Sequence, residues 1–282
     1  MDSPFEYKGI RWKKYHKALI PLAPADTEIY LKKEEEQELL KRSDTFFIRY
    51  TTDFDDPSFH HFWYVIKDGT ASMDELSSNT RNQVRKGLKN CEVSLVDKKE
   101  IMEKGHEVYR KAFARYDTKI APFSEESFKA NLDQLEETEW DFWKVSLRSS
   151  GETIAYSRNR NYGHCCDYTE IKFDPAHLKK YPSYALFQTM NEHYLNEKGY
   201  QFVNDGARSI SHETNIQDFL IRKFKFRKAY CKLHVIHKPW LGLLVRAAYP
   251  FKGLIRRLPG SRAKQLNTLL TQESIVRNQE GG

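Results

Sequence analysis

The sequence predicts an α+β fold in which a mixed, mostly antiparallel sheet with one parallel pair is flanked by helices. Three observations carry this. Residues 143–173 alternate apolar and polar side chains and are interrupted by Ser149-Ser150-Gly151 and Asn161-Tyr162-Gly163, which makes three strands joined by short turns, an antiparallel meander. A strand–helix–strand unit follows, from His164 to Asp205, and a crossover of that length implies a parallel pair. Between the strands, apolar residues recur at helical spacing, as in Leu186, Phe187, Met190 and Tyr194.

Residues 1–73 form an N-terminal segment anchored by Trp12, Tyr15, Leu19, Ile20 and Leu22 and broken by Pro21 and Pro24. Lys32–Lys41 is a short charged helix. The β-rich runs Thr45–Thr51 and Phe62–Ile66 flank the turn-forming Asp53–Pro57, and they are expected to be two strands of one sheet. Residues 74–238 form the main domain. Its first helix, Asp74–Asn90, has sparse apolar positions, a basic face of Arg81, Arg85 and Lys89, and a Gly87 that marks close packing. The strand Glu92–Val96 leads to a helix from Lys98 to near Arg115 that buries Ile101, Val108, Tyr109 and Phe113. Ser124 caps the next helix, whose first turn carries Glu125 and Glu126 as the macrodipole favours. After the meander, Asp174-Pro175 stops the third strand; Tyr184–Lys198 is a helix closed by Gly199, and Tyr200–Asp205 is a strand. Thr214 and Gln217 have capping-box spacing and open a helix with Ile216, Phe219, Leu220 and Phe224 inward. Cys231–His237 is expected to close the sheet. Residues 239–282 are a basic amphipathic helical tail, with Leu and Ile among Arg246, Lys252, Arg256 and Arg257, and with a short final helix at Ala263–Val276.

At 282 residues and 39% apolar content the chain can bury one large core or two small ones. Its net charge of +7 is unevenly spread: Ile221–Gly282 holds 14 Lys and Arg against 2 acids, net +12, leaving 32 against 37, net −5, before it. Such segregation points to an anionic neighbour, whether a phosphate-bearing ligand, RNA or a membrane surface. Cys91, Cys165, Cys166 and Cys231 show no C-x-x-C spacing, and the start lacks the order of a signal peptide. No apolar run is long enough to span a bilayer. The expected location is cytoplasmic, peripheral to the inner face of the membrane if the basic tail rests on anionic lipid.

The turn from Lys179 to Ala185 enters a helix directly after a strand, where free backbone N–H groups and the helix dipole attract a pyrophosphate. Here the sequence resembles the GNAT acyltransferases, whose signature Gln/Arg-x-x-Gly-x-Gly/Ala is matched in a degraded form by Lys180, Ser183 and Ala185, with Tyr184 between them and Pro182 removing one donor. Asn215, followed 11 residues on by Phe226, also keeps GNAT order. A closer resemblance is to the Fem-type branch, carried by Leu76–Lys86, by Phe202-Val203-Asn204-Asp205-Gly206 and by Ile216–Phe226. It implies a GNAT-like sheet with a splayed parallel pair and reads residues 1–73 as the remnant of a first GNAT-like half. The GNAT resemblance implies acyl-CoA as co-substrate, with Lys179, Lys180, Ser183, Tyr184, Ala185 and Asn215 at the cofactor and backbone N–H groups of Tyr168–Glu170 on the acyl carbonyl.

Acyl transfer needs a base for the nucleophile and an acid for the leaving group. Glu170, in mid-strand beside the turn, is the candidate base, and Asp205, at a strand end before Gly206, is the second carboxylate. Tyr168 or Tyr184 would supply the acid, or a solvent proton would serve. Arg81 and Arg85, or Arg208 beside Asp205, are candidate contacts to an anionic substrate. The acceptor is expected to be an amine or hydroxyl of a small or lipid-linked molecule. RNA enters as a partner under the alternative of an aminoacyl-tRNA-dependent transferase, and a third reading is a GNAT-shaped binding module without turnover. No metal site is expected, since His60, His61, His164 and His177 lack ligand spacing. His212 with Ser211 and Glu213 does not make a triad, because three sequence neighbours cannot fill its three positions.

Overall fold

The computed structural model of the chain describes residues 4–116, 121–210 and 215–280. In chain order the elements are β1 (Phe5–Tyr7), β2 (Ile10–Tyr15), β3 (Ala18–Pro21), α1 (Lys33–Ser43), β4 (Phe47–Thr52), β5 (Trp63–Asp68), α2 (Ser78–Asn90), β6 (Cys91–Val96), α3 (Lys98–Phe113) and α4 (Glu125–Asp133). They continue with β7 (Trp140–Leu147), β8 (Thr153–Asn161), β9 (Cys165–Phe173), α5 (Pro182–Asn191), β10 (Phe202–Ala207), α6 (Asn215–Phe224), β11 (Arg227–Tyr230), β12 (Lys232–His237), α7 (Pro239–Ala248), α8 (Lys252–Ile255) and α9 (Ser261–Glu280). The chain divides into two compact units, one of residues 1–65, 207–215 and 228–282, the other of residues 66–206 and 216–227.

The first unit is built on a five-stranded sheet of order β1-β2-β3-β4-β12. Its β3–β4 pair is parallel and the others are antiparallel. Trp12, Leu19 and Ile48 from the strands and Leu39 from α1 are fully buried in one cluster, the outcome of alternating apolar residues facing a helix stripe. A second cluster joins Ala18 and Phe47 to Leu241 and Val245 of α7 and Leu270 of α9.

The other unit holds most of a seven-stranded sheet of order β11-β5-β10-β9-β8-β7-β6. The meander β7–β8–β9 is antiparallel, as the period-two pattern predicts, and β9–β10 is parallel. Successive strand residues face opposite ways: Phe142 and Tyr156 pack with Ile101, Phe128 and Leu132 of α3 and α4, while Trp143 and Asn159 bond Tyr194, which follows α5. Helix α5 runs on into a π-helical turn, Glu192–Glu197, and is preceded by a 3-10 segment, Pro175–Lys180. Gly199, at φ +68, closes this stretch as the sequence predicts.

Two expectations about strand membership are corrected. The runs around Phe46 and Trp63 do not share a sheet: β4 lies in the five-stranded one, and β5 fills the place between β10 and β11 in the other. The terminal run Cys231–His237 does not close the larger sheet either, because β12 pairs with β4 over six residues, from Lys232↔Thr52 to His237↔Phe47. The short β11, split from β12 at Cys231, takes the edge instead. Helix α2 begins at Ser78 with Ser77 as N-cap, after a separate 3-10 turn at Met73–Glu75. The final helix is also longer than its apolar spacing suggests.

Candidate active site

The parallel pair β9–β10 is short. It keeps register through Phe202↔Cys165, Val203↔Cys166 and Asn204↔Asp167, and then the strands part. Asn204 clasps the last rung: its Nδ2 donates to Asp167 Oδ1 at 2.8 Å, and its Oδ1 accepts the Gly206 N–H at 2.8 Å. From Tyr168 onward β9 therefore has its ladder partner on the β8 side alone. The same strand carries a bulge, because β8 residues Arg158 and Asn159 face Glu170 and Tyr168, leaving Thr169 without a counterpart. A bulge drops one residue from the ladder and re-aims its neighbours. The backbone of Tyr168–Glu170 thus lines an open notch, where a carbonyl oxygen could meet N–H donors.

Asp205 stands just past the clasp. It is half-buried, its side chain makes no hydrogen bond or ion pair among the described residues, and burial lifts its carboxyl to about 8. Glu170 is placed differently. Arg158 pairs with it at 2.5 Å and the Tyr156 hydroxyl donates to it at 2.9 Å. It sits with Arg158 and Asn131 at the floor of a small pocket walled by Tyr109, Phe123 and Phe128. The bulge accounts for this, since it turns Glu170 toward α3 and α4 while Tyr168 points to α5, where its hydroxyl donates to Asn191 at 2.8 Å. Tyr168 is buried, and that burial, with the Cys166 and Asp205 groups adding to it, raises its phenol well above the usual range.

The turn into α5 offers fewer amides than its sequence suggests. Tyr184 and Ala185 both donate to the Tyr181 carbonyl, at 3.2 and 3.3 Å, and Pro182 has no N–H. Among the described residues no partner takes the Ser183 N–H, so one first-turn donor remains for an anion. Lys179 and Lys180 beside it are exposed. Helix α2 crosses here. A Cβ at Gly87 would lie 2.6 Å from the Tyr181 carbonyl oxygen and 3.1 Å from the Ala185 nitrogen, which is the close packing expected of that glycine. The crossing brings Asn90 Nδ2 to the Lys180 carbonyl (3.3 Å) and the Lys86 ammonium to 6.0 Å from the Tyr181 ring. Tyr184 is half-buried against Phe219 and Phe224; its hydroxyl has no partner among the described residues, and burial followed by Tyr181 raises its phenol.

The remaining candidates are spread out. Arg81 donates to the carbonyls of Asp74 and Leu76, in the turn that precedes its helix, whereas Arg85 is exposed. The Arg208 guanidinium lies 4.6 Å from the Trp63 ring and donates to the His61 carbonyl. Asn215 is the exposed first residue of α6. His212 and the capping Thr214 lie outside the described residues. Among those described, Glu152, Asp174 and His177 bring ligand atoms within 4.8 Å of one another, and the Lys111 ammonium already pairs with Asp174 at 2.8 Å and with Glu152 at 3.8 Å. The four cysteines are buried, and none is in a disulfide among the described residues. No described helix is long and apolar enough to cross a membrane.

The arrangement of strands and crossover decides the likeness. The fold is similar to that of FemX. FemX superposes with a TM-score of 0.56 at 12% identity, over 83% of this chain and 85% of that one. The C-terminal DUF2156 domain of a putative lysylphosphatidylglycerol synthetase from Agrobacterium fabrum gives 0.51 at 11% identity, over 85% and 84%. No protein-family model matches the chain, nor does the sequence of any curated protein. The sequence motifs include Asn204 and Lys86 without assigning either a role, and they do not reveal the Thr169 bulge. An Asn preceding Asp-Gly signals a backbone-bonding side chain, but nothing in Tyr168-Thr169-Glu170 departs from strand alternation.

Proposed function

We propose that the chain is an acyltransferase whose reaction takes place in the notch between β9 and β10. The observation that carries this is Asp205: a half-buried carboxyl without a partner, at the mouth of a parted parallel pair, with its proton affinity raised toward that of an amine. The acceptor amine or hydroxyl forms the new C–N or C–O bond to the acyl carbon, and its proton passes to the Asp205 carboxylate. The bond from the acyl carbon to sulfur or oxygen of the donor breaks. The departing group takes a proton from Tyr184, which is better suited than Tyr168 because the latter is 5% exposed and holds Asn191. Backbone N–H groups at the Thr169 bulge carry the charge that builds on the carbonyl oxygen.

The donor in this reading is an acyl-CoA, with its phosphates at Lys179, Lys180 and the Ser183 N–H. The single free amide of that turn supports a second reading, an aminoacyl-tRNA donor held by point charges, with Arg85, Lys86, Lys179 and Lys180 as phosphate contacts. Calorimetry with acetyl-CoA, repeated on Lys180→Glu and Ser183→Trp, separates them. Micromolar binding that both changes remove supports the first. Salt-steep tRNA binding without CoA affinity supports the second, and binding of neither ligand sinks the transferase reading.

A further inference from the structure

Helix α7 is apolar on both sides. Leu241, Val245 and Ala248 face inward, against Phe47, Leu270 and their neighbours. Trp240, Leu243, Leu244 and Ala247 recur at helical spacing on the other side and are exposed, Leu243 to 71% and Trp240, one edge of which meets Phe46, to 55%. The chain continues through Phe251 (61%), Leu254 (64%) and Leu258 (53%) in the same state. Large apolar side chains left exposed in such number along one stretch of chain mark an interaction site.

What lies around the patch identifies its partner. Between Asp218 and Glu273 there is no acidic residue. Arg246, Arg256 and Arg257 are exposed beside the bare apolar side chains and make no ion pair among the described residues. A second copy of this chain would bring the same uncompensated cations against them, and RNA would gain nothing from the leucines. A surface that is both apolar and anionic satisfies both halves of the patch, and a bilayer containing acidic lipids is such a surface.

We infer that the outer face of α7 and α8 docks on an anionic bilayer, with Trp240, Leu243, Leu244, Phe251 and Leu254 entering the headgroup region and Arg246, Arg256 and Arg257 contacting lipid phosphates. This stands apart from the transferase reading, because none of these residues belongs to the candidate active site. The test is sedimentation of the full chain with vesicles of phosphatidylcholine alone and of equal parts phosphatidylcholine and phosphatidylglycerol. Wild type should partition onto the anionic vesicles at least roughly tenfold better, with the preference weakening in high salt. Leu243→Gln/Leu244→Gln/Leu254→Gln should lose that partitioning by roughly tenfold or more, with its circular dichroism and melting temperature unchanged. Arg256→Glu/Arg257→Glu should lose the preference for anionic lipid. Equal partitioning of wild type and the glutamine variant overturns the inference, as does equal binding to both vesicle types. A concentration-dependent dimer that the glutamine variant abolishes would overturn it in favour of self-association.

Discussion

Asp205 and Glu170 are both carboxylates on neighbouring strands, and what surrounds them sets them apart. Burial lifts Asp205 to about 8, against about 4 in an unfolded chain. Between those two values the folded state holds a proton that the unfolded state has released, so stability falls as pH rises from about 4 to about 8. Asp205→Asn removes that loss. The variant should melt with wild type at pH 4 and above it at pH 9, as thermal scans at the two values will check. If Asp205 is the base, kcat/KM should climb through a limb near pH 8, and the asparagine variant should lose that limb along with about 10²–10⁴ of the rate. Glu170 carries a different expectation, because Arg158 and Glu170 are only 18% and 19% exposed. Arg158→Ala leaves a half-buried carboxylate without its cation, and should cost about 3 kcal/mol in urea denaturation, the low end of the range for a buried pair. Both acids were legible as candidates, Glu170 in mid-strand and Asp205 at a strand end. Their separation was not, since it depends on the Thr169 bulge, and a bulge built from ordinary strand residues leaves no mark in a single sequence.

Among the elements, the α2–α5 crossing is the most sensitive to a small change. Gly87→Ala gains about 1 kcal/mol of helix propensity, but its methyl group would sit 2.6 Å from a backbone oxygen that cannot rotate away. Overpacking of that kind costs about 1–3 kcal/mol, so the variant should be less stable by about 1 kcal/mol, readable as a lowered urea midpoint with an unchanged slope. If the α5 turn holds donor phosphates, the same variant should also weaken donor binding. Sequence made this contact visible, because a glycine inside a helix asks for a reason. The meander and the parallel pair were equally visible, since each strand there pairs with a near neighbour in the chain. The places of β5 and β12 were not: Trp63–Ile66 and Leu233–Ile236 are apolar-rich runs that would suit either sheet, and their partners are far away along the chain. Period and composition name a strand; they do not name its neighbour.

For the molecule as a whole, residue order and spatial order diverge most at β5. The strand comes from the N-terminal segment, yet it stands between β10 and β11. A fragment of residues 74–238 lacks it, leaving β10 and β11 with no strand between them. That fragment is expected to be insoluble or to show poorly dispersed amide resonances, whereas the full chain folds. Adding back residues 1–73 on the same polypeptide should restore dispersion. The arrangement also shapes what happens at the ribosome. β5 is made early, and the strands on either side of it follow well over a hundred residues later. At about 5–20 residues per second, the nascent chain carries Trp63, Tyr64, Val65 and Ile66 unpaired for on the order of 10 seconds. An apolar strand in that position is a chaperone substrate, so cells short of holdases should lose this protein to inclusion bodies during translation, whatever the stability of the finished chain.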